Sequence, residues 1–171
     1  MIFWRCIIKQ AVILAGGMGT RLASVVSEVP KPMAPIQNKP FLDYLIDLLK
    51  QNGFDSFVFL LGYKADIIEN YYKNLKNAVF IKEEYPRGTG GALLNAYEYF
   101  KNEFFVVNGD TFFDIDFSLI NEFSKDKPCT IALRYTDNLS RYGVVEIDDE
   151  YEIKNFCEKQ LISKEKIDGQ I

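Results

Sequence analysis

The sequence predicts an α/β fold in which a mainly parallel sheet is covered by helices on both faces. Short apolar runs alternate along the chain with segments of helical periodicity, which is typical of successive βαβ units. Hydrophobic residues make up 48% of the 171 residues, enough for one sizeable core. Neither an internal repeat nor a Pro/Gly/Ser-rich linker interrupts the sequence, so we expect a single domain over residues 1–171.

In the first half of the chain, two strands and two helices are predicted in alternation. Residues 11–15 form a continuous apolar run that ends in glycines, typical of a strand buried on both faces. Residues 41–50 place their apolar side chains on one broad helical face, and Gly53 follows at the position of a C-cap. A second apolar strand is predicted over 56–61 and a second helix over 67–75.

The second half continues the alternation and ends in a hairpin. The predicted elements are a strand at 79–81, a helix marked by apolar residues at 92–100, a strand at 104–107, a short helix at 119–123, a fifth strand at 130–134 and an antiparallel pair at 142–147 and 151–156. Because ligands of parallel sheets bind beyond the carboxyl ends of the strands, we expect functional residues in the loops that directly follow strands.

Composition limits the chemistry available to the protein. The 20 Lys and Arg are outnumbered by 24 Asp and Glu, so the net charge is −4 and no general attraction for nucleic acid or anionic membranes is expected. The absence of His excludes a Ser-His-Asp triad and His-ligated zinc. Three widely spaced cysteines form no Cys-x-x-Cys pair, and no apolar run reaches the roughly 18 residues of a membrane span. These features indicate a reduced, cytoplasmic setting.

A glycine-rich loop follows the first predicted strand. Gly16, Gly17 and Gly19 allow the backbone to approach a ligand closely and to present N–H groups to phosphate oxygens, and Arg21 adds a planar cation. The loop is not Gly-x-Gly-x-x-Gly, because Leu22 stands at the third glycine position. A tight turn with a solvated arginine is the alternative interpretation.

Three further loops carry candidate ligand groups. Lys31 lies between two prolines that fix its direction, and residues 88–91 form a glycine-rich entry to a helix. Asp110 follows an apolar strand and a glycine, a position suited to Mg²⁺ that bridges phosphate oxygens. Taken singly, each of these is also explained by a rigid surface loop, a flexible helix entry or an ordinary turn residue.

Together these segments resemble the sugar-1-phosphate nucleotidyltransferases, or nucleotide-sugar pyrophosphorylases. The matching stretches, in the order of that family, are residues 14–22, 30–33, 88–92, 108–111, 142–144 and 158–159. Residues 30–36 and 108–116 are most similar to the D-glycero-α-D-manno-heptose 1-phosphate guanylyltransferases. The resemblance implies a Rossmann-like three-layer αβα sandwich with a mainly parallel mixed sheet, of the nucleotide-diphospho-sugar transferase type.

The resemblance also implies an activity: transfer of a nucleotidyl group from a nucleoside triphosphate to a sugar 1-phosphate, with release of pyrophosphate, for nucleotide-sugar and surface polysaccharide biosynthesis. The catalytic residues that it implies are Arg21, Lys31 and Asp110, and Asp110 would hold Mg²⁺. The implied nucleotide-binding residues are Leu14, Ala15, Gly16, Gly17, Gly19, Thr20, Arg21, Lys31, Glu83, Gly88, Thr89, Asn108 and Gly109. The implied sugar-phosphate-binding residues are Tyr142, Gly143, Glu158 and Lys159.

The choice of base depends on Glu83. Relatives that use uracil or thymine nucleotides tend to carry Gln at this position, whereas a carboxylate accepts both donors of the Watson–Crick edge of guanine. Glu83 therefore favours GTP, with Glu84 as the alternative reader after a shift of one residue.

The sequence departs from the family at its end. Gln160 follows the Glu-Lys pair where the family usually has Pro. The family domain also continues with a further strand and a second metal-binding aspartate, so we expect that this chain lacks the C-terminal part of that domain.

Other functions remain open from the sequence. A mannose, glucose or amino-alcohol phosphate could replace the heptose phosphate, and a catalytically incomplete nucleotide-binding or regulatory module is the alternative of another class. A dinucleotide-dependent dehydrogenase is the weakest alternative, because no acidic residue ends the 56–61 strand. The oligomeric state, a homo-oligomer included, is not determined.

Overall fold

A computed structural model describes residues 9–17, 28–135 and 143–157. Its internal contacts form two compact units that divide between Phe117 and Ser118. The elements of the first unit are β1 (Lys9–Ala15), β2 (Pro35–Ile36), β3 (Lys39–Pro40), α1 (Phe41–Gln51), β4 (Phe54–Leu61), α2 (Ala65–Tyr72), β5 (Ala78–Lys82), α3 (Gly88–Asn95) and β6 (Phe105–Asn108). Two 3-10 turns, Lys31–Met33 and Tyr97–Tyr99, join them, and α4 (Phe117–Phe123) runs across the division.

The main sheet has the strand order β5-β4-β1-β6, and all three neighbouring pairs are parallel. From β1 the chain adds β4 and β5 on one side and then returns to add β6 on the other. This reversal at β1 is a topological switch point, where parallel α/β sheets bind their ligands. The predicted mainly parallel sheet is confirmed, and the antiparallel pairings lie in separate two-stranded sheets.

Alternate residues of the strands face two separate apolar clusters. One cluster packs Ile13 and Phe59 against α1 and α2, and the other packs Val12 and Val58 against Ala92 of α3. Side chains on both faces of β1 and β4 are thus buried, as expected of the continuous apolar runs in these strands. Helices on both faces confirm the three-layer αβα arrangement.

Helix α1 is amphipathic, and its apolar stripe covers the sheet. Its buried residues, at helical spacing, are Leu42, Leu45, Ile46 and Leu49. On its polar side, Asp43 accepts hydrogen bonds from the hydroxyls of Tyr71 (2.9 Å) and Tyr72 (2.6 Å), which joins α2 to α1. Burial and the Asp43 carboxylate raise the pKa of Tyr72, so this hydroxyl remains a donor.

The third helix differs in extent from its apolar pattern at 92–100. Helix α3 begins at Gly88 and ends at Asn95, and the chain continues as the 3-10 turn Tyr97–Tyr99. The N–H of Ala96 donates to Leu93 O at 3.2 Å, an i→i−3 bond that tightens the helix end. Apolar periodicity could not predict the first turn of α3, because the glycines in this turn contribute no apolar side chains.

In its described residues, 118–135 and 143–157, the second unit has an antiparallel pair, β7 (Val144–Ile147) and β8 (Ile153–Cys157). The Asp148 carboxylate closes its turn by accepting the N–H groups of Glu150 (3.0 Å) and Glu152 (2.8 Å). The ion pair with Lys154 and these backbone bonds lower the pKa of Asp148. The predicted hairpin is therefore confirmed.

The predicted fifth strand over 130–134 is wrong. These residues form no strand, and no described segment pairs with them. Ile131 and Leu133 are 47% and 45% exposed, and Thr130, Ala132 and Arg134 on the other side of the alternating pattern are exposed as well, so neither side is buried here. A β-branched, apolar composition favours a strand only where a partner supplies hydrogen bonds and cover.

Within the described parts of the chain, no helix is long and apolar enough to cross a membrane.

We expect Phe59→Ala to lower the free energy of unfolding by about 3–5 kcal/mol. The Phe59 side chain is fully buried and stacks on both Tyr72 and Phe80. Urea unfolding monitored by circular dichroism measures the loss. The matched control is Leu94→Ala, because Leu94 is 78% exposed and its removal should change the free energy of unfolding by less than about 0.5 kcal/mol. Equal effects of the two substitutions would contradict this description of the core.

Candidate functional site

The carboxyl ends of the four parallel strands border a cavity of about 300 Å³. All the residues around it belong to the first unit and come from the ends of β1, β4 and β6, from the loops that follow strands, from the lysine turn and from α3. They are Leu14, Ala15, Gly16, Gly17, Lys31, Pro32, Leu60, Glu83, Pro86, Gly88, Thr89, Ala92, Asn108 and Asp110. The cavity therefore lies at the switch point, where the topology leads us to expect a ligand.

The glycine loop enters the cavity directly after β1. The Gly16 carbonyl accepts a hydrogen bond from the N–H of Tyr63 at 3.2 Å, which ties the loop to the chain beyond β4. A Cβ at Gly16 would lie 3.3 Å from the backbone nitrogen of Gly62, so this position has little room for a side chain. Gly17 is exposed, and a Cβ there would meet nothing within 4 Å, so this part of the loop is open to a ligand.

Asp110 is positioned by the glycine before it. The N–H of Gly109 donates to Leu14 O at 2.9 Å, and a Cβ at Gly109 would lie 3.2 Å from both Leu14 O and the Ala15 Cβ. A side chain at this position would therefore require the end of β1 to shift by a few tenths of an ångström, and glycine lets the chain turn closely against it. Asp110 follows at the cavity wall, where Thr111 Oγ1 donates to its Oδ1 at 3.2 Å.

Lys31 reaches the same carboxylate from a different loop. Pro30 and Pro32, both buried, hold the 3-10 turn, and Met33 N–H donates to Pro30 O at 2.8 Å. Lys31 Nζ lies 2.6 Å from Asp110 Oδ2, and both side chains are 36% exposed. The structure thus brings together the two charged groups that the sequence placed 79 residues apart.

Glu83 lies at the end of β5 beside an apolar wall. Its N–H donates to Leu61 O at 2.8 Å, which extends the β4–β5 ladder by one residue. Leu14 and Leu60, which are paired in register, line the cavity together with Pro86 and Ala92. The Glu83 Oε1 atom is buried and has no hydrogen-bond partner among the residues that the structure describes. A buried carboxylate oxygen without a donor is costly, so this atom is suited to accept a hydrogen bond from a ligand.

The start of α3 contributes backbone groups to the cavity. Gly88 has a φ of +71°, a conformation that favours glycine, and Gly88 and Thr89 line the wall. Arg87 at the N-cap makes no side-chain capping bond. The N–H groups of this first turn therefore carry the partial positive charge of a helix start toward the cavity.

The strand order separates the two ends of the site. Glu83 follows β5 and Asp110 follows β6, so three inter-strand spacings, about 14 Å in total, lie between the two loops. Apolar residues flank the Glu83 end, Lys31 and Asp110 form the other, and the glycine loop after β1 lies between them, with a Cβ at Gly16 3.7 Å from Glu83 Oε2. This arrangement suits an elongated ligand with a flat polar ring at one end and phosphates at the other.

Several predicted site residues lie outside the described parts of the chain: Gly19, Thr20, Arg21, Tyr142, Glu158 and Lys159. Gly143 is described and precedes β7 in the second unit, where a Cβ would lie 3.5 Å from Cys157 O and from the Phe156 ring. Gly109 packs against the end of β1 and is not part of the cavity wall, whereas the other predicted residues, including Leu14, Ala15, Thr89 and Asn108, line the cavity.

Sequence reasoning missed Gly62. A Cβ at this residue would lie only 2.6 Å from Gly16 O, closer than real Cβ atoms approach. The available signal was its position directly after the second predicted strand, since such loops line the ligand edge of a parallel sheet.

The donor set for a metal ion is small. Among the residues the structure describes, no group of three His, Cys, Asp or Glu could hold a metal ion by itself. Asp110 supplies one carboxylate at the phosphate end of the cavity. Such a set fits Mg²⁺ only when phosphate oxygens of a nucleotide and water complete its coordination, which is how proteins commonly bind this ion.

The sequence over residues 10–165 matches the family described as nucleotidyl transferase. The chain belongs to this family. The match covers the glycine loop, Lys31, Glu83 and Asp110, and it confirms the family resemblance predicted from the motifs. A divalent metal ion is typical of the family.

Two curated relatives are D-glycero-alpha-D-manno-heptose 1-phosphate guanylyltransferases. The protein from Campylobacter jejuni is 41% identical over 165 residues, which cover 95% of this chain and 74% of the relative. The protein from Aneurinibacillus thermoaerophilus is also 41% identical, and the match covers 95% and 73% of the two chains.

A solved structure supports the fold. HddC from Yersinia pseudotuberculosis, in a crystal structure with GMP-PN, is 39% identical with a TM-score of 0.76. The superposition covers 88% of this chain and 69% of HddC.

We expect Gly109→Ala to destabilise the protein by about 1–3 kcal/mol, because the added methyl group overpacks the end of β1. The matched control is Gly90→Ala inside α3, where the new methyl meets nothing within 4 Å. That change should stabilise the helix by up to about 1 kcal/mol. Urea unfolding distinguishes the two, and a neutral Gly109→Ala would contradict the tight turn described above.

Proposed function

We propose that this protein transfers GMP from GTP to a heptose 1-phosphate and releases pyrophosphate, for nucleotide-sugar and surface polysaccharide biosynthesis. The observation that carries the proposal is the buried Glu83 oxygen, which has no partner in the described part of the chain, in a cavity whose far end holds Lys31 and Asp110. The names of the two 41% identical relatives support both the base and the sugar. A guanylyltransferase draws on GTP, so we propose that it works in the cytoplasm.

The proposed reaction is an in-line displacement. An oxygen of the sugar phosphate attacks the α-phosphorus of GTP, a new P–O bond forms, and the bond to the β-phosphate oxygen breaks. The attacking oxygen is already anionic, so no general base is needed, which agrees with a chain that contains no His. The protein must hold two repelling anions in line and neutralise the charge that develops on the leaving pyrophosphate.

The residues at the phosphate end have matching roles in this proposal. The amides of the glycine loop and Arg21 bind the β- and γ-phosphates, and Thr89, Asn108 and the α3 start contribute polar groups around the nucleotide. Lys31 neutralises the leaving pyrophosphate, and Asp110 binds Mg²⁺. Because Lys31 and Asp110 form an ion pair at 2.6 Å, the charge of each is balanced before the nucleotide binds.

The sugar phosphate is proposed to bind through residues of the second unit. Lys159 would bind the phosphate and Glu158 the sugar hydroxyls, while Gly143 would let the ring approach the backbone. Tyr142 would line the same subsite. These residues decide between the heptose and the mannose, glucose or amino-alcohol phosphates that remain alternatives.

The guanine edge presents N1–H and N2–H₂ side by side, and a carboxylate accepts both. The buried Glu83 Oε1 atom gains a partner only when such donors arrive. Uracil and adenine present an acceptor within the corresponding edge, and this acceptor would face the carboxylate unfavourably. Glu83 therefore selects guanine through a charge-assisted hydrogen-bond pair.

We expect Glu83→Gln to reduce the preference for GTP over UTP by at least about tenfold, because the amide group replaces one acceptor with a donor. Titration calorimetry with GTP, CTP, UTP and dTTP measures the preference. The matched control is Glu84→Gln, which makes the same change at the neighbouring exposed position and should leave the preference for GTP over UTP unaltered. If only the Glu84 variant lost the preference, Glu84 would be the reader.

The metal proposal gives a separate test. We expect GTP affinity in the presence of Mg²⁺ to fall about tenfold or more in Asp110→Asn, and the gain in affinity on adding Mg²⁺ to shrink with it. Calorimetric titrations with Mg²⁺ and with a chelator measure both effects. An unchanged gain in the variant would show that Asp110 does not hold the ion.

A turnover assay distinguishes an enzyme from a nucleotide-binding module. We expect the unaltered chain to release pyrophosphate from GTP and heptose 1-phosphate, and no release would favour the binding module.

A further inference from the structure

Two hydrogen bonds connect the strand end at β4 to both ends of the site. Leu61 O accepts the N–H of Glu83 at 2.8 Å, and two residues later the N–H of Tyr63 donates to Gly16 O at 3.2 Å. The segment 61–63 therefore contacts the proposed base reader on one side and the phosphate loop on the other. The cavity lining includes neither Gly62 nor Tyr63.

A tight turn holds this segment in place. Ala65 N–H donates to Gly62 O at 3.1 Å, which closes a β-turn with Tyr63 and Lys64 at its centre. Lys64 has a φ of +53°, the left-handed conformation expected at the second central position of a type II turn. The turn fixes the direction of the Tyr63 N–H toward the Gly16 carbonyl.

Gly62 permits the backbone contact that this hydrogen bond needs. A Cβ at Gly62 would lie 2.6 Å from Gly16 O and 3.1 Å from the Gly16 Cα. In the other direction, a Cβ at Gly16 would lie 3.3 Å from Gly62 N and 3.7 Å from Glu83 Oε2. The two glycines thus pack backbone against backbone, and any side chain at Gly62 would displace the phosphate loop.

The consequence for the phosphate loop follows from peptide geometry. The described peptide bonds are all trans, so the C=O of Gly16 and the N–H of Gly17 point in opposite directions. When the Gly16 carbonyl is held by Tyr63, the Gly17 N–H is directed away from the turn. Gly17 itself lines the cavity.

We propose that the 62–65 turn is a positioning device for the triphosphate: Gly62 and the Tyr63 N–H hold the Gly16–Gly17 peptide so that the Gly17 amide faces the nucleotide. Neither residue touches the ligand. The inference rests on the proposed function, because it assigns the glycine loop to the β- and γ-phosphates. It predicts that a loosened turn weakens binding of GTP and leaves binding of GMP, which lacks those phosphates, almost unchanged.

The sharpest variant is Tyr63→Pro. Proline is favoured at the first central position of such a turn, so the turn remains while the N–H that binds Gly16 O is lost. Tyr63→Ala is the matched reference, because it removes the same side chain and keeps the N–H. Gly62→Ala is the second variant, because it displaces the Gly16 carbonyl by contact rather than by loss of a donor.

Titration calorimetry with GTP and with GMP, on chains checked for melting temperature, tests the proposal. Relative to Tyr63→Ala, we expect Tyr63→Pro to raise the dissociation constant for GTP about tenfold and that for GMP less than about twofold. Gly62→Ala should have the same selective effect. A merely structural weakening would affect GTP and GMP alike.

The remaining outcomes are also decisive. Equal GTP affinity in Tyr63→Pro and Tyr63→Ala, or equal losses for GTP and GMP, would overturn the positioning role. If Tyr63→Pro does not fold, the ratio of the dissociation constants of Gly62→Ala for GTP and GMP decides whether the turn has the positioning role. Failure of the unaltered chain to bind any nucleotide would instead overturn the proposed function, and is thereby distinguished from failure of this inference.

Discussion

The site depends on the parallel pairing of β1 with β4 on one side and β6 on the other. Each strand ends at the same edge of the sheet, so the loops after them meet although they are far apart in sequence. The register matters as much as the order. Leu14 pairs with Leu60 and with Asn108, which places Gly16 beside Gly62 and Gly109 against Leu14. A shift of the register would separate these contacts and move Asp110 away from Lys31.

Much of this arrangement could be predicted from the sequence, because the central strands β1 and β4 are buried on both faces. Such strands are continuous apolar runs, and the structure confirms those at 11–15 and 56–61 to within two residues at each end. The apolar run at 104–107 is confirmed as β6, although one side of that strand is exposed. Loops after strands were then identifiable as ligand positions. The prediction of a strand at 130–134 was wrong, since the apolar pattern of these residues gives no information about a partner that would cover them.

The site was predictable as a set of residues but not as a set of contacts. Sequence motifs named Lys31 and Asp110 separately, whereas their ion pair depends on the buried prolines and on the close turn at Gly109. Gly62 was missed for a related reason. Glycine is needed at position 62 because a side chain there would collide with the carbonyl of Gly16, which is 46 residues away in sequence. Its position after a strand marks Gly62 as a candidate, but local sequence patterns carry no signal for that contact.

The strand order also bears on how a carboxylate can read the base in a site for a highly charged anion. Three inter-strand spacings, about 14 Å, separate the ends of β5 and β6, which lead into Glu83 and Asp110. The glycine loop lies nearer to Glu83, because a Cβ at Gly16 would be 3.7 Å from Glu83 Oε2. Asp110 is balanced by the ammonium of Lys31. In the proposed complex, Glu83 is balanced instead by the N–H donors of guanine, whose hydrogen bonds are strong because the acceptor is charged. Each acidic residue is thus compatible with a triphosphate for its own reason: Asp110 through a paired cation, and Glu83 through the donors of the base.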